Sequence, residues 1–229
     1  MYIAIEGVKG VGKSTVVSHL ELALRADGLE FVLVAPTRHL SGEEAENSRD
    51  CDLTDFQREA VYAARSNLHS QAVDWTAPLI LGDRSFYTSL ATRWDPERSA
   101  ELVSRCRALE SLIRIPDHVI HLVLPVDVVV QRLLGREREF GKQDESRSRI
   151  EAVDAAYRQI GRRCGAFGFQ TVWHRQDANS RAEQVATRCY QLVRRIVGLR
   201  AKTVETEDLS RSAPQQCPQP EAQQPGGTR

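Results

Sequence analysis

A phosphate-binding loop is predicted near the start of the chain, where Gly7 is followed after four residues by Gly12, Lys13 and Ser14. Glycines in such a loop let backbone N–H groups approach phosphate oxygens, and the helix that follows directs its positive end at the same anion. The lysine neutralises the β- and γ-phosphates, and the serine hydroxyl is a ligand for Mg²⁺. The residues predicted to bind the donor nucleotide here are Gly7, Lys9, Gly10, Val11, Gly12, Lys13, Ser14 and Thr15.

Two charged residues, Asp83 and Arg84, follow an apolar run over residues 79–83. In an open parallel sheet, ligands bind beyond the carboxyl ends of the strands, so both should lie beside the phosphate loop. The carboxylate can hold Mg²⁺ or accept a proton from an attacking hydroxyl, and the guanidinium can bind phosphate through two hydrogen bonds. The alternative is a strand-end ion pair on the surface. We therefore take Lys13, Asp83 and Arg84 as candidate catalytic residues, and Ser14 and Asp83 as candidate metal ligands.

Three arginines, Arg132, Arg136 and Arg138, follow a later apolar run. Arg132 and Arg136 have the i, i+4 spacing that places two side chains on one face of a helix. Positioned arginines stabilise the charge that develops on oxygens during phosphoryl transfer. The polar residues that come next suit a lid that closes over the nucleotide, although a solvated helix face is the alternative. We assign Arg136 and Arg138 to catalysis and Arg132 to the donor side.

The elements that must position these residues alternate along the chain, because short runs rich in Val, Ile and Leu are separated by amphipathic stretches. This alternation predicts an α/β fold, a parallel sheet with helices on both faces. Predicted strands cover residues 2–7, 31–36, 79–83, 118–124 and 170–174. Predicted helices cover residues 13–27, 54–75, 97–113, 125–138, 146–164 and 178–198.

The last part of the chain has a different composition. Residues 202–229 are rich in Gln, Pro, Glu and Ser and poor in apolar residues. Such a segment buries too little surface to offset its chain entropy, so we predict a disordered tail. We therefore predict one domain over residues 1–201. A chain of 229 residues is long enough for one well-packed α/β domain.

Charge, cysteine content and hydropathy exclude several classes of function. Lys and Arg together number 31, as do Asp and Glu, so no overall basic field favours nucleic acid. The five cysteines include no C-x-x-C pair, which argues against a disulfide framework or a zinc site. No leader segment or transmembrane-length apolar run is evident. We expect a cytoplasmic protein that binds neither nucleic acid nor membrane.

The order of these motifs resembles the thymidylate kinase family and, more broadly, the related deoxynucleoside kinases. The resemblance covers roughly residues 2–198 and rests on four segments: the phosphate loop, "DRS" at 83–85, "PDHVIHLVLPVDVVVQRLLGR" at 116–136 and "DANSRAEQV" at 177–185. It implies a P-loop kinase fold with a five-stranded parallel sheet and a short lid. It also implies ATP with Mg²⁺ as donor, a small nucleotide such as dTMP as acceptor, and a homodimer as a common assembly.

The resemblance carries site residues over by position. Arg38 and Arg65 match the arginines that bind the acceptor phosphate, and Arg136 and Arg138 match lid or donor-side arginines. Asp177 and Ala178 match the turn that the family places beside adenine.

The departures from the family cluster on the acceptor side. Lys9 stands where these kinases usually carry an acidic residue that meets the acceptor sugar. Val61 replaces a stacking phenylalanine, and the adjacent Tyr62 falls on another helix face. Ser85 replaces a tyrosine or histidine and is reminiscent of the Glu-Arg-Ser segment of deoxynucleoside kinases. The candidate acceptor-binding residues are Arg38, Tyr62, Arg65 and Ser85.

Three functions stay open at this point. The first is an ATP-dependent nucleoside monophosphate kinase of the thymidylate kinase type. The second is a kinase of a nucleoside or a modified nucleotide, in which Asp83 is the base that accepts a proton from the attacking hydroxyl and Lys9 recognises an unusual acceptor. The third is a non-catalytic ATP-binding module, against which Lys13, Ser14 and Asp83 argue. Lys9 itself either binds a second acidic group on the acceptor or faces solvent.

Overall fold

A computed structural model of the protein describes residues 1–37, 54–135 and 145–211. Three residues that the sequence predicts for the site lie outside these ranges: Arg38, Arg136 and Arg138. The strands of the described ranges are β1 (Tyr2–Glu6), β2 (Val32–Val34), β3 (Ile80–Asp83), β4 (His118–Val123) and β5 (Val172–Asp177). The helices are α1 (Lys13–Ala26), α2 (Asp55–Ala72), α3 (Phe86–Thr92), α4 (Ser99–Leu109), α5 (Val126–Leu134), α6 (Arg147–Arg163) and α7 (Ala182–Arg211).

The strands form one parallel sheet in the order β2-β3-β1-β4-β5. The predicted α/β class, with a five-stranded parallel sheet flanked by helices, is therefore confirmed. Ile5 of β1 pairs in register with Asp83 of β3, and Glu6 pairs with His121 of β4. The carboxyl ends of the three central strands consequently meet at one edge, where the loop after β1 begins.

The core explains why the central strands are apolar along their whole length. All residues of β1 and β3 are buried, as is typical of parallel strands covered on both faces. Tyr2 and Ala4 belong to a cluster with aromatic and aliphatic side chains of α3, α4 and α6, whereas Ile3 and Ile5 point to the opposite face of the sheet. Helix α1 buries the apolar side chains Val16, Val17, Leu20 and Leu24.

Helix α3 is absent from the sequence-based prediction. It has seven residues, and six of them, Phe86 to Ala91, are buried. A short helix that is buried on almost all sides has no solvent-exposed polar face, so the 3.6-residue periodicity that reveals an amphipathic helix is lost. The helix matters because it begins directly after Arg84.

The C-terminal part differs from the prediction in its boundaries. β5 runs to Asp177, and α7 extends from Ala182 to Arg211, past the predicted domain end at residue 201. The described residues up to Val193 belong to one compact unit, and Arg194–Arg211 of α7 belong to a second. The boundary at residue 201 and the tail stay predictions.

Within the parts of the chain that the structure describes, no helix is both long enough and apolar enough to cross a membrane.

Candidate functional site

The loop between β1 and α1 has the backbone shape of a phosphate cradle. Gly7 and Gly10 have φ values of 140° and 86°, which side-chain-bearing residues rarely adopt. A Cβ on Gly7 would lie 2.6 Å from the carbonyl oxygen of Leu122, so only glycine fits there. Lys13 is 5% exposed, and its Nζ donates hydrogen bonds to the carbonyls of Gly7 at 2.7 Å and Val8 at 2.8 Å. The ammonium group therefore lies inside the curve of the loop.

Helix α5 packs directly on this loop. A Cβ on Gly10 would come within 2.9 Å of the Leu133 side chain and 3.3 Å of Val129. Arg132 Nη1 donates a hydrogen bond of 3.2 Å to the carbonyl of Val11. The structure thus brings Arg132, predicted for the donor side, onto the phosphate loop.

The two predicted metal ligands are neighbours. Ser14 Oγ donates a hydrogen bond of 3.3 Å to Asp83 Oδ2, and Asp83 is 4% exposed. A hydroxyl and a carboxylate supply the hard oxygen ligands that Mg²⁺ prefers, and the phosphates of a nucleotide supply others. The pair therefore fits a nucleotide-bound Mg²⁺ ion.

Arg84 is held in a strained backbone conformation. Its φ of 77° makes it the one non-glycine residue with positive φ in the described part of the chain. Its N–H donates to the carbonyl of Ile5 at 3.2 Å, and its carbonyl accepts from the hydroxyl of Tyr2 at 3.4 Å. Such strain persists where the surrounding structure enforces it, and it concentrates at functional sites. The strained backbone fixes where the Arg84 guanidinium can reach.

A buried carboxylate, Glu6, stands beneath the site and was missed by the sequence analysis. It is fully buried and accepts hydrogen bonds from Ser85 Oγ at 2.7 Å, Thr88 Oγ1 at 2.7 Å and the Tyr157 hydroxyl at 2.8 Å. Burial raises the pKa of Glu6, while these hydroxyl groups and the charge of Arg84 act in the opposite direction. The signal in the sequence is a single carboxylate inside an otherwise apolar strand.

The predicted acceptor-binding residues lie in two places. Ser85 is 1% exposed; besides donating to Glu6, its hydroxyl accepts a hydrogen bond from the backbone N–H of Tyr87 and caps α3. On α2, the guanidinium of Arg65 lies over the ring of Tyr62, 5.6 Å from its centroid, and Arg65 is 4% exposed. This geometry favours a positioning role for Ser85. The acceptor contacts of all three residues stay predictions.

Lys9 has a carboxylate neighbour that neither sequence-based alternative includes. Lys9 Nζ lies 3.0 Å from Oε1 of Glu145, a residue that precedes the start of α6 by two positions. The side chain of Lys9 is 26% exposed and that of Glu145 is 15% exposed. Lys9 also borders a cavity of about 90 Å³ between the phosphate loop, α3 and α6. The cavity is lined by Gly7, Val8, Lys9, Arg84, Thr92, Arg149, Ile150, Val153 and Tyr157.

The turn after β5 continues the sheet by one hydrogen bond. The backbone N–H of Ala178 donates to the carbonyl of Val123 at 2.8 Å, and Asp177 Oδ1 accepts from the backbone N–H of Asn179 at 2.9 Å. Asp177 borders a second cavity of about 680 Å³, which Arg158 and Arg175 also line. The predicted position of Asp177 and Ala178 beside adenine stays a prediction.

His121 is a buried base next to the Glu6 network. It is 5% exposed, and its ring lies 5.2 Å from that of Tyr157. Burial, followed by the positive charges of Arg158, Arg175 and Lys13, lowers the pKa of His121 to about 4. His121 is therefore neutral near pH 7.

Comparisons with known proteins agree with this geometry. A family model described as "AAA domain" matches residues 3–154. A thymidylate kinase of Pseudomonas putida strain W619 is 32% identical over 178 residues, which span 71% of this chain and 84% of that protein. A probable thymidylate kinase of Thermococcus onnurineus is 30% identical over 176 residues, which span 66% of this chain and 80% of that protein. The chain therefore belongs to the thymidylate kinase-like family of P-loop nucleotide kinases.

Proposed function

We propose that the protein transfers the γ-phosphoryl group of ATP to a nucleoside monophosphate, with dTMP or a close analogue as acceptor. The observation that carries this proposal is the assembly at one sheet edge of Lys13 inside the phosphate loop, Ser14 beside Asp83, and a strained Arg84 on an adjacent cavity. The relatives named thymidylate kinase support the choice of acceptor.

On the donor side, the loop supplies backbone N–H groups and Lys13 supplies a positive charge. When a nucleotide enters, the Lys13 ammonium exchanges the carbonyls of Gly7 and Val8 for phosphate oxygens. Ser14 and Asp83 would hold Mg²⁺, which neutralises charge on the β- and γ-phosphates. Arg132, anchored on the loop, orients the nucleotide from the side of α5.

On the acceptor side, Arg84 binds the phosphate that receives the transferred group, and we assign Arg38 and Arg65 to the same phosphate. Arg136 and Arg138 stabilise the charge that develops on the transferred group. Such a reaction needs little covalent participation by the protein, because positioning and charge stabilisation supply most of the rate enhancement.

A second candidate, a kinase of a nucleoside or modified nucleotide, is favoured by one observation. The cavity beside the loop carries Lys9 in addition to Arg84 and Arg149, so it differs in charge from a pocket for a neutral sugar. In that reaction Asp83 would accept the proton of the attacking hydroxyl.

An ADP-release assay with ATP·Mg²⁺ tests the proposal. The acceptors are a panel of nucleoside monophosphates, each beside its nucleoside, and Lys13→Ala is the control. We expect turnover with a monophosphate, and dTMP first among them, that the control loses. Turnover on nucleosides alone would favour the second candidate, and ATP binding without turnover on any acceptor would contradict both.

A further inference from the structure

The cavity beside the phosphate loop has an excess of positive charge. Lys9, Arg84 and Arg149 line it, and none of the described residues that form its lining is an aspartate or glutamate. Three cations around a space of about 90 Å³ repel one another and create a potential that favours anions. The cavity therefore favours a negatively charged group of the acceptor over a neutral sugar.

Two carboxylates next to the cavity differ in how easily a ligand can replace them. Glu6 is fully buried and accepts hydrogen bonds from three hydroxyl groups, so a ligand cannot displace it. Glu145 is 15% exposed and its contact with Lys9 is an ion pair of 3.0 Å at the rim. Because an incoming anion would keep Lys9 paired while the partly exposed Glu145 carboxylate turns to water, such an anion can take the place of Glu145.

We propose that the preferred acceptor carries a second anionic group besides the phosphate that receives the transferred group, and that Lys9 binds this group in exchange for Glu145. The inference rests on the proposed function and adds to it a preference for doubly anionic nucleotides, with dTMP as a weaker-binding acceptor. Arg84 and Arg149 bind the phosphate that receives the transferred group, and Lys9 binds a phosphate or carboxylate elsewhere on the acceptor. Lys9 is then a specificity-determining residue.

Calorimetric titration of the full chain with two matched pairs of probes tests this inference. One pair is dTMP and thymidine 3′,5′-bisphosphate; the other is uridine 5′-monophosphate and orotidine 5′-monophosphate, which adds a carboxylate to the base. We expect one doubly anionic probe to bind about tenfold more tightly than its partner, as one charge-assisted hydrogen bond gives.

Two variants of the ion pair must change this preference in opposite directions. Lys9→Met should abolish it, because the cation is lost. Glu145→Gln should raise the preference for the doubly anionic probe about threefold. The carboxylate that competes for Lys9 is lost, and the probe with the second anionic group gains more affinity from this loss than its partner does. Opposite shifts from the two partners exclude a general loss of folding as their cause.

The inference is overturned if neither doubly anionic probe binds more tightly than its partner, or if Lys9→Met leaves the preference unchanged. Arg84→Ala separates this failure from failure of the proposed function. If the monophosphates bind and Arg84→Ala weakens them, the acceptor site stands and only the role of Lys9 is wrong. Absence of phosphoryl transfer, measured separately, would contradict the proposed function whatever the binding ratio.

Discussion

At the scale of single residues, the site depends on Glu6, which links β1 to α3 and α6 beneath Arg84. The three hydroxyl groups that it holds come from Ser85, Thr88 and Tyr157, and its charge attracts Arg84. Glu6 touches neither the cavity nor the loop carbonyls in the contacts described, so we regard it as a positioning residue. Its effect should reach the acceptor through Arg84.

Replacement of Glu6 by glutamine tests this role. Glu6→Gln keeps the size but removes the charge, so Arg84 loses an electrostatic partner. We expect KM for the acceptor to rise about tenfold, the equivalent of 1.4 kcal/mol, with KM for ATP changing far less. Thr88→Val, which removes one hydroxyl and leaves the carboxylate, is the matched control and should have a smaller effect. Equal increases in both KM values would show that Glu6 has no selective role.

His121 makes the stability of the protein depend on pH. Its folded-state pKa of about 4 lies below the ordinary 6.5, so the unfolded chain binds more protons between these values. Stability from this residue is fully present above pH 6.5 and is lost as the pH falls towards 4, by about 3 kcal/mol in all.

Urea unfolding of the wild type and of His121→Gln between pH 7 and pH 4 measures this contribution. The wild type should lose about 2–3 kcal/mol more than the variant over that range. The carboxyl groups of Glu6, Glu110 and Asp154, whose pKa burial raises, act with the opposite sign in both proteins and cancel in the difference. His19→Gln on α1 serves as a control. Parallel pH curves for the wild type and His121→Gln would contradict the assignment.

Local pattern predicted some of these residues and not others. Lys13 and Ser14 were predictable because the motif places them within eight consecutive residues, and the predicted strand end placed Asp83. The contact of Lys9 with Glu145 was not, since it joins two segments that only the packing of α6 brings together. Pairs of this kind depend on tertiary structure and leave no periodic signal.

At the scale of elements, the contact between α5 and the phosphate loop positions Arg132. Gly10 permits this contact, since a Cβ there would lie 2.9 Å from the Leu133 side chain. Helix α5 is also the element that leads from β4 to the lid arginines of the prediction. Its docking should therefore influence nucleotide binding.

Gly10→Ala tests this docking, and Gly28→Ala is its matched control. Both glycines have positive φ, but a Cβ on Gly28 would meet nothing within 4 Å. The control should cost about 1–2 kcal/mol of left-handed backbone strain. Gly10→Ala should cost about 1–3 kcal/mol more through overpacking and should also weaken ATP binding. Urea unfolding and ATP titration measure both effects, and equal losses in the two variants would refute a role for α5 docking.

The secondary structure was predictable where a periodic pattern was long enough. Helices α1, α2 and α6 begin and end within three residues of their predicted bounds, because each has an amphipathic pattern of several turns. Helix α3 has seven residues that are almost all buried, so it lacks this pattern and was not predicted. Strand β5 was predicted at residues 170–174 but runs from Val172 to Asp177, because its partly exposed residues at the sheet edge mark its bounds poorly.

At the scale of the whole molecule, the parallel sheet order places the ends of β1, β3 and β4 side by side, and the site follows from that arrangement. Alternation of strands and helices predicted the parallel sheet, but the order of strands within it needed the structure. The proposed catalytic domain covers residues 1–201.

Truncation tests that domain boundary. The chain cut after residue 201 should keep the melting temperature and ATP affinity of the full chain, because the removed residues are poor in apolar side chains. A chain that ends at Arg211 retains all of α7 and is the control. A lower melting temperature for the shorter chain alone would move the boundary into the last turns of α7.

The proposed reaction is the transfer of a phosphoryl group from ATP to an acceptor that already bears a phosphate. The most direct measurement incubates the protein with γ-labelled ATP, Mg²⁺ and dTMP, and identifies the labelled product. The proposed reaction should give labelled dTDP with the wild type and none with Lys13→Ala or Asp83→Ala. Label that appears only in inorganic phosphate, or on a nucleoside but never on a monophosphate in the acceptor panel, would contradict it.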